Sequence, residues 1–552
     1  MDNTWWWLLG LVALLFGGML LSAWRARQQL QTRLLMSWGQ LPGRTRQDSE
    51  ASLQEAYAAQ RQLHPRGSTI DDLTWHDLNL MQVFQRVNLT ESSVGAEALY
   101  AQMRGFDFGQ PATDEKLIAF FAQNQPARMA VRTAFAHLGK VDHNQSQQYL
   151  LNADHHVLPG SWQFRVLGLL PLVGVALIFV VPLAGVLLMI ASLLFNLVYY
   201  QLRRNALELE LNAMRYLVQT IAAAHQLSGI NTPRQAALKA AYAPLKQITR
   251  HAFVFRTHTG TELEVVMDYL GICFMLPFIA YNSVLQTLTA QRQAALTLWQ
   301  ELGQLEVAIA IANFRQASPV ACQPTFTADA VEAQGLVHPL LKKPVANDLD
   351  WRQTALITGS NASGKSTYVK SVAINCVLAQ TINTATASSF ALAPGHVVTA
   401  MAVQDDITAG DSYFIAEIKA IQRVLKLAAQ GQRVYGFIDE ILKGTNTIER
   451  IAASASVVQW LSRTKARVMV ATHDSELTEI LKALVINWHF QETVTASGVT
   501  FDYQLHQGPA TSHNAIALLS TMAYPQPIIQ TAHDLVAAFE QTRTWPQVEQ
   551  SK

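Results

Sequence analysis

The chain has 552 residues, of which 50% are hydrophobic and only 15% are charged, and its formal net charge is +1 at pH 7. This balance excludes a protein that is basic overall, so charge gives no support to strong sequence-independent DNA binding, although a local basic face stays open. The three cysteines lack Cys-x-x-Cys spacing, so the sequence predicts neither a zinc site built from cysteines nor a disulfide framework.

The first predicted element is a membrane anchor over residues 1–24. The segment from Trp5 to Trp24 contains no charged residue and is long enough, as a helix, to cross roughly 30 Å of hydrocarbon. Indole rings prefer the membrane interface, and a Trp stands at each end. Asp2 is the only charged side chain before it, whereas a cleavable signal carries positive charge there. We therefore expect an uncleaved anchor with its N-terminus outside.

Residues 25–164 are predicted to form a basic linker followed by a helical region. Arginines are concentrated directly after the anchor, at Arg25, Arg27, Arg33, Arg44 and Arg46. A basic cluster in this position attracts anionic lipid headgroups, so the bilayer is an expected partner.

A second uncharged tract, residues 166–200, predicts a transmembrane hairpin over residues 165–200. It is too long for one ordinary span and long enough for two short ones, and Pro182 lies near its middle. Arg165 and Arg203 flank the tract, and the positive-inside rule places both flanks in the cytoplasm. A buried hairpin in a soluble protein is the alternative, but so long a run without charge is rare in soluble folds.

Residues 201–312 are predicted to be a second helical region. Residues 201–226 have helical periodicity with mixed charge. The segment Tyr269–Tyr281 is apolar, but it is short and contains Pro277, so we predict a core helix and not another span.

A phosphate-binding loop, here called the P-loop, follows the short apolar strand predicted at residues 354–358. The loop consists of Gly359, Ser360, Asn361, Ala362, Ser363, Gly364, Lys365, Ser366 and Thr367. Apolar residues then recur at helical spacing over residues 368–380, which gives the strand, turn and helix that the motif requires. The alternative is a glycine-rich turn that binds no ligand.

The residue types in the P-loop suit ATP and Mg²⁺. Gly359 and Gly364 allow backbone N–H groups to point at a phosphate from the N-terminus of a helix. Lys365 is expected to reach the β- and γ-phosphates, and the Ser366 hydroxyl is expected to ligate Mg²⁺.

Two later strands end in residues that suit nucleotide hydrolysis. Asp439 and Glu440 follow a predicted strand at 434–438: Asp439 fits a magnesium ligand, and Glu440 fits the base that orients water. His473 follows a strand at 466–471 and is placed to contact the γ-phosphate. The alternatives are a solvated acidic turn and a structural histidine.

The run from Trp299 to the C-terminus resembles the ATPase domain of the MutS family, the mismatch-repair relatives among the ABC-type ATPases. Its landmarks stand in order: 335–341 with a His-Pro pair, 346–348, the P-loop with Tyr368, Asp405-Asp406 through Ser412-Tyr413-Phe414 with Glu417, 438–447 and 471–477. The resemblance implies an α/β P-loop domain of the ABC type, which we place at residues 313–552.

The resemblance also implies a homodimer in which two ATPase domains pair head to tail. Ser412 would then complete the nucleotide site of the other subunit. As an alternative or additional role, Ser412 is a suitable N-cap for the helical segment that contains Glu417.

Upstream, residues 75–100 resemble the start of the core and lever domain of these proteins, although an ordinary helical bundle fits as well. The chain departs from the mismatch-repair pattern near its start. A hydrophobic segment stands where the mismatch-reading domain would be, and no Phe-x-Glu wedge motif is present there. We therefore do not expect mismatch recognition.

Together these features predict a multi-pass protein of the cell membrane with a cytoplasmic ATPase domain. ATP hydrolysis at a dimer interface would move a helical region, and the sequence does not indicate the protein partner on which this movement acts. Two alternatives stay open: a DNA-binding repair or recombination ATPase tethered to the membrane, and an ATP-driven transport component.

Overall fold

The computed structural model describes residues 4–43, 49–63, 68–108, 113–152, 161–251, 254–255, 269–360, 363–401, 413–495, 498–510, 516, 519–520 and 522–547. The chain forms two compact units. The first comprises Met1–Arg66, Phe84–Met103 and Thr113–Ala317, and the second comprises Gly67–Val83, Arg104–Ala112 and Ser318–Lys552. The expected combination of a helical region with a mixed α/β region is confirmed.

The first unit is built from helices. Their bounds are α1 Thr4–Met36, α2 Glu50–Leu63, α5 Ser93–Met103, α6 Glu115–Gln123, α7 Gln125–Leu138, α8 Ser146–Asn152, α9 Ser161–Ile178, α10 Pro182–Ala206, α11 Glu208–Leu227, α12 Gln235–Tyr242, a 3₁₀ helix Ala243–His251, α13 Leu276–Ala290 and α14 Arg292–Ala317. Capping side chains define several ends: Asp114 accepts a hydrogen bond from the Leu117 N–H, and Asn124 accepts one from the Ala127 N–H.

The apolar tract folds as a helical hairpin in which α9 and α10 are joined by a tight turn, and α10 begins at Pro182. Proline suits this first helical position because its ring presets the backbone angle. Within the described residues, one helix, Pro182–Arg203, is long and apolar enough to cross a membrane; over its most apolar 18 residues the mean hydropathy is 2.0 and 22% of the residues are buried. The neighbouring apolar helix, Trp162–Ile178, is shorter.

The segment predicted as one core helix, Tyr269–Tyr281, is interrupted. Met275 has a left-handed backbone (φ 56°), and α13 begins at the next residue, with Pro277 in its first turn. Phe278 nevertheless packs in a core cluster with Phe164 and Tyr200, whereas Tyr269 is exposed.

The second unit contains the strands. Their bounds are β1 Ser68–Thr69, β2 Gly105–Phe106, β3 Thr325–Phe326, β4 Val331–Leu336, β5 Asn347–Trp351, β6 Ala355–Thr358, β7 Ser389–Leu392, β8 His396–Ala400, β9 Val434–Asp439, β10 Arg467–Ala471, β11 Ile486–His489, β12 Glu492–Thr495, β13 Gly498–Phe501 and β14 His506–Gln507. Its helices are α3 Asp72–Asp77, α15 Lys365–Ile382, α16 Tyr413–Ala429, α17 Thr447–Ser462, α18 Ser475–Ile480 and α19 Gln526–Thr542, while α4, Leu80–Val87, crosses the division between the units.

A six-stranded sheet in the order β14-β11-β6-β10-β9-β8 carries the core of the second unit. Strands β11, β6, β10, β9 and β8 run parallel, and β14 is antiparallel to β11. Strands β6 and β10 are buried throughout, as expected for a parallel sheet that is covered on both faces. A second sheet has the order β3-β7-β4-β5.

Candidate active site

The candidate site lies where three neighbouring parallel strands end. Strand β10 pairs with β6 on one side and with β9 on the other. The P-loop follows β6, Asp439 is the last residue of β9, and His473 follows β10. Because parallel strands present their carboxyl ends at one edge, residues far apart in sequence come together there.

Two glycines give the described part of the P-loop its backbone path. Gly359 has φ 140°, and a Cβ at this position would lie 2.5 Å from the Phe490 carbonyl oxygen. Gly364 has φ 103° and stands immediately before α15. Ser363 Oγ donates to the Ser360 carbonyl at 2.8 Å and tightens the turn. Asn361 and Ala362 lie outside the described residues.

Lys365, the first residue of α15, is buried (5% exposed) beside the loop. Its Nζ donates to the carbonyl oxygens of Gly359 and Ser360, each at 2.8 Å, and lies 3.4 Å from His473 Nε2. Burial lowers the pKa of Lys365, whereas the charges of Asp439 and Glu440 oppose this change.

Glu440 and His473 are in contact. Glu440 Oε1 lies 3.3 Å from His473 Nε2, and Glu440 Oε2 lies 3.3 Å from Lys443 Nζ. The backbone N–H of Glu440 donates to the Ala471 carbonyl at 2.9 Å, which ties the turn after β9 to the end of β10. Burial and the charge of Lys365 lower the pKa of His473, so the imidazole is neutral at pH 7.

The predicted magnesium ligands offer oxygen atoms at the same edge. Ser366 lines the cavity beside the P-loop, and Asp439 ends β9. No group of three or more His, Cys, Asp or Glu side chains suited to a metal occurs within the described parts of the chain. This donor set fits Mg²⁺, which commonly takes one or two protein oxygens and completes its shell with phosphate and water.

A cavity of about 510 Å³ opens beside the P-loop. Ser366, Thr367, Glu440 and His473 lie on its wall. Other parts of the wall come from segments to which the sequence assigned no ligand-binding role, namely Leu336, His338, Lys343, Pro344, Val345, Phe490 and Tyr503. The volume is within the range of pockets for small molecules and cofactors.

Two of these wall residues have defined surroundings. Burial lowers the pKa of His338 to about 4, so its ring is neutral at pH 7. Tyr503 is held by Asn347, whose Nδ2 donates to the Tyr503 carbonyl at 3.0 Å and whose Oδ1 accepts from the Leu505 N–H at 2.8 Å. His338 and Asn347 lie in the landmark segments 335–341 and 346–348. The resemblance of these segments to the MutS family was the sequence feature that pointed to this part of the cavity wall. Ser412 lies outside the described residues.

Comparison with known proteins identifies the domain that carries this site. Residues 355–540 match the family model described as MutS domain V. The chain is 30% identical over 283 residues to the DNA mismatch repair protein MutS of Natronomonas pharaonis, which is 49% of this chain and 33% of that protein. It is 32% identical over 227 residues to the DNA mismatch repair protein MutS 2 of Halobacterium salinarum, which is 39% of this chain and 26% of that protein.

A third relative, the DNA mismatch repair protein MutS 2 of Haloarcula marismortui, is 28% identical over 285 residues, 46% of this chain and 30% of that protein. The chain thus covers about a third or less of the length of each of these relatives. The resemblance drawn from the ordered landmarks is confirmed: the C-terminal part of this chain carries a MutS domain V, the ATPase domain of the MutS family.

Proposed function

We propose that the second unit is a P-loop ATPase of the ABC type that binds ATP with Mg²⁺ and hydrolyses it at the candidate site. One observation carries this proposal: the buried Lys365 ammonium, the His473 imidazole and the Glu440 carboxylate form a continuous row on the wall of the cavity beside the P-loop. A cation, a neutral ring and a carboxylate in this order provide for phosphate binding and water activation at one place.

The individual roles follow from chemistry and position. The N–H groups at the start of α15 and the Lys365 ammonium bind phosphate oxygens. Ser366 and Asp439 would hold Mg²⁺, which supplies charge stabilisation to the phosphates when bound. Glu440 accepts the proton of the attacking water, and neutral His473 contacts the γ-phosphate.

The test compares two substitutions in the full chain. Lys365→Ala removes the buried ammonium, and we expect nucleotide binding to be lost. Glu440→Gln keeps the size of the side chain but removes the base, so we expect ATP to bind while turnover falls by about 100-fold or more. Lys426→Ala, on the exposed side of α16, is the control that should do neither. Normal hydrolysis in both site variants would reject the assignment.

The dimer belongs to the same proposal. An anion in the site of one subunit would be contacted by Ser412 of a second copy, as the resemblance to the MutS family implies. A head-to-tail homodimer with two shared sites follows, and ATP-dependent dimerisation in solution is the expected behaviour.

We also propose that the chain is embedded in a membrane through α9, α10 and the apolar part of α1. The support is exposure: Phe179 is 85% exposed, Leu183 is 74% exposed and Leu14 is 74% exposed. Large apolar side chains exposed to this extent are unfavourable in water and suit lipid. A buried core helix of the same composition would instead be covered by its neighbours, whereas only 22% of the most apolar 18 residues within Pro182–Arg203 are buried.

The proposed output is movement of the helical unit when the ATPase domains close. The chain passes repeatedly between the two units, because residues 67–83 and 104–112 belong to the second unit and residues 84–103 to the first. The Glu440→Gln form, held with ATP, is the species with which to capture a protein partner from membranes.

DNA is the second candidate ligand, since the named relatives are DNA mismatch repair proteins. A DNA-binding ATPase of this kind would show affinity that falls steeply with salt, because counterions are released when phosphates are neutralised. A titration of the detergent-solubilised chain with duplex DNA at two salt concentrations decides, and a flat response removes this candidate.

A further inference from the structure

The turn that carries Glu440 has an unfavourable backbone. Glu440 (φ 58°) and Leu442 (φ 56°) both adopt the left-handed region, although neither is a glycine. A left-handed backbone is unfavourable for a residue that carries a Cβ, and it persists only where the surroundings impose it. Some part of the second unit must therefore hold this turn in place.

The carboxylate of Glu417, on α16, lies inside the turn. The Lys443 N–H donates to Glu417 Oε1 at 3.0 Å, and the Gly444 N–H donates to Oε2 at 3.3 Å. Glu417 is 4% exposed, and burial raises its pKa, while the backbone N–H groups oppose this change. Hydrogen bonds from successive backbone N–H groups to a buried carboxylate are strong and directional, so they fix the backbone of the turn.

A second contact fixes the same turn to the same helix. A Cβ at Gly444 would lie 3.0 Å from Phe414 Cβ, so the backbone of the turn approaches the first turn of α16 closely. From the other side, Ser454 Oγ of α17 donates to the Ile441 carbonyl at 3.3 Å. The position of Glu440 is thus set by the helices on either side of the turn, and the charged contact comes from α16.

We propose that Glu417 is a positioning residue that sets Glu440 for water activation by fixing the turn Glu440–Gly444 to the start of α16. This inference rests on the proposed function. Because α16 starts at Tyr413, the same contact links the N-terminal part of this helix to the turn that carries Glu440.

The test replaces the carboxylate in the full, detergent-solubilised chain. Glu417→Gln keeps the volume but turns an NH₂ group toward one of the two backbone N–H donors, so the turn is held on one side only. We expect turnover to fall about 10- to 100-fold, the scale of a small misplacement of a catalytic group, while the Kd for ATP changes by less than about threefold. Glu479→Gln, at an exposed glutamate of the same unit, is the matched control.

Amide hydrogen exchange provides a readout that does not depend on nucleotide. In Glu417→Gln the peptide covering residues 440–446 should exchange faster, and in Glu479→Gln it should exchange as in the wild type. The inference is overturned if Glu417→Gln hydrolyses ATP at the wild-type rate, or if binding and turnover fall in parallel with a lowered Tm. An inactive wild type would instead reject the proposed function itself, so the two failures are distinguishable.

Discussion

At the scale of single residues, His473 faces two groups with opposite requirements. Its Nε2 lies 3.4 Å from Lys365 Nζ and 3.3 Å from Glu440 Oε1. A lysine ammonium can only donate and a carboxylate can only accept, so neutral Nε2 serves one of them at a time. A protonated ring would pair with Glu440 and occupy the carboxylate that is proposed to accept a proton.

This geometry predicts the pH dependence of turnover. Because burial and Lys365 lower the pKa of His473 below its usual 6.5, the ring stays neutral and the rate should change little between pH 8 and 6.5. At lower pH the ring takes up a proton and the rate should fall about tenfold. His473→Gln cannot be protonated, so its acid limb should lie at lower pH. Identical acid limbs in steady-state assays of the two proteins would contradict the assignment.

The residues of the site differ in how far the sequence could predict them. The P-loop, Asp439 and His473 each follow a short apolar strand, and the parallel arrangement of such strands brings their ends together. Tyr503 carried no such signal, because its place beside the P-loop depends on hydrogen bonds to Asn347, 156 residues earlier. The contact of Glu417 depends on left-handed residues that local propensity disfavours.

At the scale of elements, the short helix α3 protects an edge of the main sheet. Strand β8 is the last strand of the sheet. The Asp77 carboxylate, 1% exposed, accepts from Thr399 Oγ1 at 2.6 Å and from the Met401 N–H at 3.0 Å. Thr74 Oγ1 accepts from the Thr399 N–H at 3.2 Å. The helix therefore satisfies polar groups at an edge that would otherwise need water or another strand.

Removal of the Asp77 carboxylate should destabilise the second unit. Asp77→Ala leaves a buried hydroxyl and a buried N–H group without this acceptor, and we expect a loss of about 2–4 kcal/mol in the free energy of unfolding. Asp77→Asn retains one carbonyl acceptor and should lose less. Thermal unfolding measures the order, with exposed Asp534→Ala as the control. Equal Tm values for Asp77→Ala and the control would exclude this role of α3.

A buried carboxylate also caps a helix in the first unit. Glu306, on α14, accepts hydrogen bonds from the Ser92 hydroxyl and from the backbone N–H groups of Glu91 and Ser92, just before α5. A Cβ at Gly95 would overlap Glu306, so the two helices are in close contact. Burial raises the pKa of Glu306 to about 7 and the charge of Glu91 adds to this, whereas the hydrogen bonds from Ser92 and Glu91 and the charge of Lys140 lower it.

The raised pKa of Glu306 predicts that stability declines as pH rises. The folded state retains a proton that the unfolded state releases near pH 4.5, so the stabilisation is complete at low pH and is lost as pH rises through about 7. The unfolding free energy should fall by up to about 3 kcal/mol between pH 5 and 8. Glu306→Gln, which can still accept the N–H groups, should not show this part of the decline. If the Tm of the wild type and the Tm of Glu306→Gln changed with pH in the same way, the prediction would be contradicted.

The elements, too, were predictable to different extents. The hairpin of α9 and α10 follows from a long uncharged tract with Pro182 at its turn, both of which are local signals. The membership of residues 67–83 in the second unit has no local signal. It depends on contacts such as Asp77 to Thr399, which are 322 residues apart in sequence.

At the scale of the whole molecule, the exposed apolar helices predict firm membrane association. Washing of membranes at high pH or high salt removes peripheral proteins but should leave this chain in the pellet, because its attachment would be hydrophobic and not electrostatic. The measurement is the fraction of full-length chain retained after carbonate and after 1 M salt. Release by either wash would refute the proposed embedding of α9 and α10.

The proposed sharing of sites between two copies makes a separate prediction. If each site takes Lys365 from one subunit and Ser412 from the other, Lys365→Ala and Ser412→Ala homodimers should both be defective. A mixed dimer then has one site with both residues intact and one site that lacks both. With random exchange of subunits, half of the dimers are mixed, so activity should recover to about a quarter of the wild-type level.

Mixing each variant with the Glu440→Gln chain separates a shared site from simple stabilisation of the dimer. In a dimer of Ser412→Ala with Glu440→Gln, one site has Lys365 and Glu440 from the first chain and Ser412 from the second, so that site is intact. Recovery should therefore occur with Ser412→Ala plus Glu440→Gln and fail with Lys365→Ala plus Glu440→Gln, since both of the latter residues act within one subunit. Equal recovery in both mixtures, or none in either, would exclude a shared site.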